Sequence, residues 1–400
     1  MAERSSNEES RRRWARLVEL AGLFTKLGLT GFGGPAAHIA MMEEEVVARR
    51  RWLTREHFLD LVGVTNLIPG PNSTELAIHV GSLRAGWAGL CVAGISFILP
   101  ATLITSLLAW AYVTLGSLPS VEAILVGVRP VVLAVIGGAI WRLGRTAVKA
   151  AWLAAVGLFV LLLASVGVNE VAALLLGGFV GSAWSWSAQR KVRPPALMGF
   201  GLGAALRSLA GPSAAALGGL ALTALKPSLL QLGWFFLKVG SVLYGSGYVL
   251  VAFLRGGLVE RHGWITEAQL LDAVAVGQFT PGPLLSTATF VGFLLQGPLG
   301  ALVASLAVFL PSFVFVALLR PLVPRLRRSA WASGFLDSVN VSSLALMVAV
   351  AARLAPGALA SWWAWLIALG ALALSLRWRV NAAWLVLGGA LAGWILSQLG

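Results

Sequence analysis

Apolar residues in this chain fall into runs of about twenty, separated by short polar or basic stretches, from Leu17 to the C-terminus. A helix of that length crosses about 30 Å of hydrocarbon. The pattern therefore predicts an all-α integral membrane protein. Two kinds of run alternate. The runs 17–42 and 231–254 are broken by Gly31-Phe32-Gly33-Gly34-Pro35 and Gly245-Ser246-Gly247. The runs 58–81 and 268–293 are broken midway by Pro69-Gly70-Pro71 and Pro281-Gly282-Pro283. Plain spans follow at 86–110, 121–140, 151–167 and 171–187, and again at 299–320, 333–353, 356–376 and 380–398.

The same order appears twice because the chain is duplicated. Displaced by 212 residues, Phe24, Lys26, Gly28 and Gly33 fall on Phe236, Lys238, Gly240 and Gly245. Trp52, Thr54 and Asp60 fall on Trp264, Thr266 and Asp272, and Pro69-Gly70-Pro71 falls on Pro281-Gly282-Pro283. After one residue of slippage, Leu99-Pro100 meets Leu310-Pro311. A set of Gly, Pro and Trp matches at one offset marks an internal repeat. The expected organisation is an N-terminal tail 1–16, a first repeat 17–188, a linker with one extra span 189–230, and a second repeat 231–400.

Charge then orients the chain. Only 12% of residues are charged, about half the usual share of a soluble domain. The net charge of +14 sits in clusters between apolar runs, as positive-inside loops do, and this excludes a nucleic-acid binder. If each broken run enters and leaves by one face, nearly all basic clusters become cytoplasmic, the N-terminus included. Lys226, Arg255, Arg261 and Arg353 are the exceptions. Four plain spans plus the span 196–224 separate the repeats, an odd number, so the repeats have inverted topology with re-entrant-like broken helices.

Inverted repeats with broken helices place a substrate site near the bilayer midplane. Helix starts carry free N–H groups and a partial positive charge, and glycine lets an anion approach the backbone. The candidate substrate-binding residues are therefore Gly31, Gly33, Gly34, Pro35, Pro69, Gly70, Pro71, Asn72, Ser73 and Thr74 in the first repeat. Gly245, Ser246, Gly247, Pro281, Gly282, Pro283 and Ser286 are their counterparts in the second. Asn72 and Ser73 also read simply as helix caps. Lys26 and Lys238 are intramembrane cations at matched positions that attract an anion or snorkel to the interface. Glu75 is the candidate coupling residue, or else the partner of an arginine. His38 and His79 read first as packed histidines. The Glu43-to-Arg51 run reads as a solvated loop helix with charge pairs, and Gly199-x-x-x-Gly203 as helix packing.

One cysteine and four histidines without ligand spacing give no metal site, and no cofactor is expected. No lysine follows a glycine, so no phosphate-binding loop for ATP exists. The charged N-terminus reads as lacking a removable leader. An embedded enzyme would need a nucleophile or metal cluster at depth, which the sequence lacks. An anion channel would use the same broken helices as a carrier.

The motifs together resemble the chromate ion transporter family in its fused two-domain form. Gly31 to Pro35, Arg50-Arg51-Trp52, Pro69 to Glu75 and Phe97 to Pro100 look like its first half. Tyr244 to Gly247, Gly263-Trp264, Pro281 to Pro283 and Phe309 to Pro311 look like its second. Tyr244 and Ser246 depart mildly from the family pattern. The resemblance implies export of chromate across the bacterial inner membrane, with sulfate, a tetrahedral dianion of similar size, as a further candidate. The partners implied are this oxyanion, the lipid bilayer and, as an open question of assembly, a second copy in a homodimer.

Overall fold

Apolar helices interrupted at glycine and proline are what these runs become. The computed structural model describes residues 2–66, 68–116, 118–189, 226–244, 247–319 and 330–399. The linker beyond Gln189, the expected span 196–224 with Gly199 and Gly203, residues Gly245 and Ser246, and the basic residues from Arg320 to Arg328 lie outside these. The first repeat runs α1 (Ala2–Thr30), α2 (Pro35–Glu43), a π-helical turn (Glu44–Arg49), α3 (Arg55–Thr65), α4 (Asn72–Leu115), α5 (Pro119–Ala147), α6 (Ala151–Ser165) and α7 (Glu170–Gln189). The second runs α8 (Leu229–Val242), a 3-10 turn (Gly247–Val249), α9 (Leu250–Leu254), a π-helical turn (Arg255–Arg261), α10 (Glu267–Phe279), a 3-10 turn (Leu284–Ser286), α11 (Thr287–Leu319), α12 (Ala330–Ala358), α13 (Trp362–Arg377) and α14 (Ala382–Leu399). No strand occurs among the described residues. This is an all-α integral membrane protein, and α4, α5, α11 and α12 are long and apolar enough to span.

The repeat extends to individual contacts. Gly28 of α1 lets the Phe97 carbonyl of α4 come so close that a Cβ there would sit 2.6 Å from it. Gly240 of α8 does the same for the Val308 carbonyl of α11, at 2.2 Å. Both long helices turn back on themselves at a left-handed glycine, Gly86 (φ 61°) and Gly297 (φ 62°). The single-residue slippage lies between the Pro-Gly-Pro and these turns. There the second repeat opens with a 3-10 turn, which rises about 2.0 Å per residue against 1.5 Å in an α-helix. Nine residues with three in that turn cover about 15 Å, as ten α-helical residues do.

Exposed Leu99, Leu103 and Leu107 on α4, and Leu302, Leu306 and Leu310 on α11, form stripes suited to lipid. Glycines make the remaining close helix packing. Gly389 and Gly393 of α14 press on Gly127 of α5, while Gly177 and Gly181 of α7 receive Ser342 and Ser338 of α12. The last helix of each repeat thus packs on the other repeat. Such small-residue seams replace the hydrophobic driving force that lipid does not supply.

Several boundaries differ from the expected spans, and the helix expected over 121–140 runs on to Ala147. The helix expected over 333–353 runs through Pro356 to Ala358, and the next starts at Trp362. Proline is tolerated in membrane helices, so Pro356 does not end this one. The Glu43-to-Arg51 run is no simple solvated helix either. Glu45 is buried and is held by Lys26 at 2.7 Å, Arg49 at 3.3 Å and Arg50 at 3.4 Å.

That cluster sets an acid dependence. Lys26 above all, with Arg50 and Arg49 helping against burial, holds the Glu45 carboxyl below its ordinary value of 4.5. The unfolded chain therefore takes up this proton first as pH falls. The stability contributed is complete above 4.5 and is lost as pH drops toward the folded value. Thermal unfolding followed below that pH should steepen in the native protein and less so in Glu45→Gln. Equal slopes would show that the cluster does not contribute.

Candidate functional site

Four chain breaks meet at one place. α1 ends at Thr30, and the backbone then needs φ values of 107° at Gly33 and 80° at Gly34 before Pro35 starts α2. Asn66 ends α3, and Gly70 at φ 142° precedes Pro71, the N-cap of α4. The Gly70 N–H donates to the Leu243 carbonyl at 2.7 Å, and the Gly282 N–H donates to the Gly31 carbonyl at 2.8 Å. Residues 31 and 243, like 70 and 282, are 212 apart. The two hydrogen bonds are thus one contact made twice, once from each repeat to the other.

His38 joins the first two breaks. Its Nε2 lies 2.8 Å from the Gly31 carbonyl, and its Nδ1 lies 3.2 Å from Ser73 Oγ. A carbonyl only accepts, so in the neutral ring Nε2 carries the proton and Nδ1 accepts from the Ser73 hydroxyl. The sequence signal was a histidine seven residues past a glycine break, which by itself is indistinguishable from a packed histidine.

Behind the breaks lies a small polar centre. Glu75 is 0% exposed, one turn into α4. A Cβ added to Gly70 would come within 2.2 Å of Glu75 Oε1 and 2.6 Å of Ser312 Oγ, so only glycine leaves both groups in place. Both Glu75 oxygens, Thr74 Oγ1, Ser286 Oγ and Ser312 Oγ are buried without a hydrogen-bond partner among the described residues. Buried polar atoms are ordinarily paired, and of these Glu75 and Ser312 stand together against Gly70. Ser312 was not among the expected residues. It lies one residue after Pro311 on α11, and nothing in its local sequence distinguishes it.

Other expected residues take different places. Asn72 donates through Nδ2 to Asn66 Oδ1 at 2.6 Å, tying the end of α3 to the start of α4. Lys26 is more than half exposed and bound to Glu45. Lys238 is exposed and lines a separate cavity with Lys226, Arg261 and His262. Pro69, Pro281 and Pro283 flank the glycine junctions, and Gly247 is buried at the start of its 3-10 turn. Gly245 and Ser246 lie outside the described residues. Among the described residues, no three His, Cys, Asp or Glu side chains gather as metal ligands.

A partly buried ion pair joins the two repeats. Arg129 of α5 donates from Nε and Nη2 to the two Asp272 oxygens of α10, both at 3.0 Å, and the Tyr112 hydroxyl of α4 donates to Oδ2 at 3.0 Å. Asp272 is fully buried. Residue 340, at the offset of 211 that relates α5 to α12, is asparagine, so this lock has no charged copy. Arg129 was missed in the sequence, where an arginine inside the plain span 121–140 is the signal that could have found it.

The chain matches the family described as Chromate transporter twice, over residues 18–182 and 230–394. It is 32% identical over 387 residues to a chromate transport protein of Cupriavidus metallidurans, covering 96% of this chain and 94% of that one. A chromate transport protein of Pseudomonas aeruginosa is 29% identical over 385 residues, covering 94% of this chain and 92% of that one. An uncharacterized transporter of Bacillus subtilis, YwrA, is 30% identical over 160 residues, which is 90% of its length and 38% of this chain. No solved structure matches.

Proposed function

The chain belongs to the chromate transporter family, and from that premise we propose that it exports chromate from the bacterial cytoplasm through the junction of its four broken helices. The observation that carries this reading is the reciprocal pair of hydrogen bonds, Gly70 to Leu243 and Gly282 to Gly31. They hold the breaks of two repeats together, and the hydroxyls of Ser73, Thr74, Ser286 and Ser312, near these breaks in the chain, are the ones we assign to the anion. Hydroxyls there offer donors to the oxygens of a tetrahedral anion, and the starts of α4 and α11 add their positive ends. With the repeats inverted, rocking one against the other would expose this centre to each face in turn.

The membrane potential supplies the driving force. It contributes about 2.3 kcal/mol per charge per 100 mV, so a dianion leaving a cell negative inside gains about 4.6 kcal/mol per 100 mV. Glu75 modifies this cost. An isolated carboxylate buried without a partner is costly when ionised, and beside a dianion it would also be repelled. Glu75 therefore carries a proton while the anion is bound; were that proton to leave with the anion, the net charge moved would fall to one and the gain to about 2.3 kcal/mol per 100 mV. Tyr244 lies near it and His38 reaches the neighbouring Ser73, while neither Glu75 oxygen has a hydrogen-bond partner among the described residues.

Counterflow tests the carrier reading. Proteoliposomes loaded with unlabelled chromate should transiently accumulate labelled chromate above the external level, which a channel cannot do. In the same vesicles Glu75→Gln should still exchange chromate, with the acid stimulation of the native protein gone. An unchanged pH profile in Glu75→Gln would remove the proton from the cycle.

A further inference from the structure

Four basic residues, Lys226, Arg255, Arg261 and Arg353, stand on the face that positive-inside placement assigns to the exterior. Two of them are accounted for by pairing. Arg255 binds Glu260 and Glu267, and Arg353 donates to Glu260 at 2.7 Å and to the Ala164 carbonyl at 2.6 Å. Lys226 and Arg261 are instead drawn together with Lys238 around a cavity of about 390 Å³ between α8, the second π-helical turn and the start of α7.

The repeat shows why this cavity is positive. In the first repeat Lys26 is neutralised by Glu45. The residue 212 positions after Glu45 is Gly257, so Lys238, the counterpart of Lys26, has lost that carboxylate. Among the described residues Lys238 has no ion-pair partner. Gly257 also leaves room for Phe235, whose ring lies where its side chain would begin, at 2.3 Å. Glu170 is the single carboxylate on the wall, against Lys226, Lys238 and Arg261. Burial, with Arg261 and Lys238 beside it, pushes the His262 imidazole below its ordinary value. That side chain stacks on Trp264 at 4.4 Å and adds a neutral donor. Asn169 and Gln231 complete the polar lining.

We propose that this cavity binds a tetrahedral oxyanion group, free in solution or carried on a phospholipid headgroup, between Lys226, Lys238 and Arg261. Its placement on the outer face rests on the orientation proposed above, whereas its existence as an anion site does not. Three cations against one carboxylate give a net positive pocket, and convergent ammonium and guanidinium groups are the usual recognition of such oxyanions. Trp234 on the cavity wall and Leu230, four residues before it on the same helix, are exposed apolar side chains. A free anion held here would be poised at one end of the transport path. The first repeat closes the equivalent position with its own glutamate, so the two faces of the protein treat an anion differently.

Lysine acetylation read by mass spectrometry tests this on the native, full-length protein. The protein is placed in phosphatidylcholine nanodiscs and treated with a water-soluble acetylating ester, in sulfate or in chloride of equal ionic strength. Sulfate should slow acetylation of Lys226 and Lys238 several-fold and leave Lys149, which pairs with Asp337, unchanged. Protection in phosphatidylglycerol nanodiscs without sulfate would assign the site to a headgroup. Equal rates in every condition would overturn the site. Because acetylation is read without any flux, that failure would stand apart from failure of chromate transport.

Discussion

Arg129→Met should leave little folded protein in the membrane. Asp272 is fully buried and accepts two hydrogen bonds from Arg129 and one from Tyr112. Removing the arginine strands a carboxylate across the interface of the two repeats. Breaking a buried pair from one side costs about 3–5 kcal/mol, out of a total stability of about 5–15 kcal/mol. The triple substitution Arg129→Met, Asp272→Leu and Tyr112→Phe should recover most of the loss, since an apolar replacement of a whole buried set is often neutral. Thermal unfolding of purified protein in detergent measures both. A single variant as stable as the native protein would mean that the pair does not hold the repeats together.

The second large effect is expected at the junction glycines. Gly70→Ala and Gly282→Ala should each lower chromate flux at least about tenfold while the protein stays inserted, because the added methyl displaces groups at the junction, beyond the about 1–2 kcal/mol that left-handed backbone costs any non-glycine residue. Gly70 has φ 142°, and its added methyl would push into Glu75 and Ser312. Gly282 has φ 97°, and its methyl would meet Ala101 at 2.9 Å. Either shift also strains the bond to Leu243 or to Gly31. Gly263→Ala is the matched comparison, with φ 60° and open space where its methyl would lie. Flux measured per inserted molecule should stay near native for Gly263→Ala. Native flux in Gly70→Ala would argue that the junction is scaffold alone.

Some of this was open to reading in the sequence. The duplication was legible because glycine, proline and tryptophan tolerate few substitutes where a chain turns or packs closely, so Gly28 and Gly240 or Trp52 and Trp264 survive at one offset. The breaks were legible for the same reason. Their meeting was not, because a hydrogen bond from Gly70 to Leu243 joins backbone atoms that leave no mark in side-chain identity. Lys26 illustrates the reverse case. Its depth in an apolar run suggested anion attraction, yet Glu45 from the neighbouring polar turn reaches it. Asp272 was visible only as a repeat match, since its partner Arg129 is 143 residues away. The 3-10 start of α11 was hidden too, although the one-residue slippage between repeats was its trace.

The central claim is that this chain carries an oxyanion between its two repeats. The most direct measurement is radiolabelled chromate uptake into everted membrane vesicles containing the native protein, with and without excess sulfate, beside empty vesicles. Saturable accumulation that sulfate suppresses, driven by a potential positive inside the everted vesicle, is the predicted result. Uptake no greater than in empty vesicles, with the protein shown to be inserted, would contradict it.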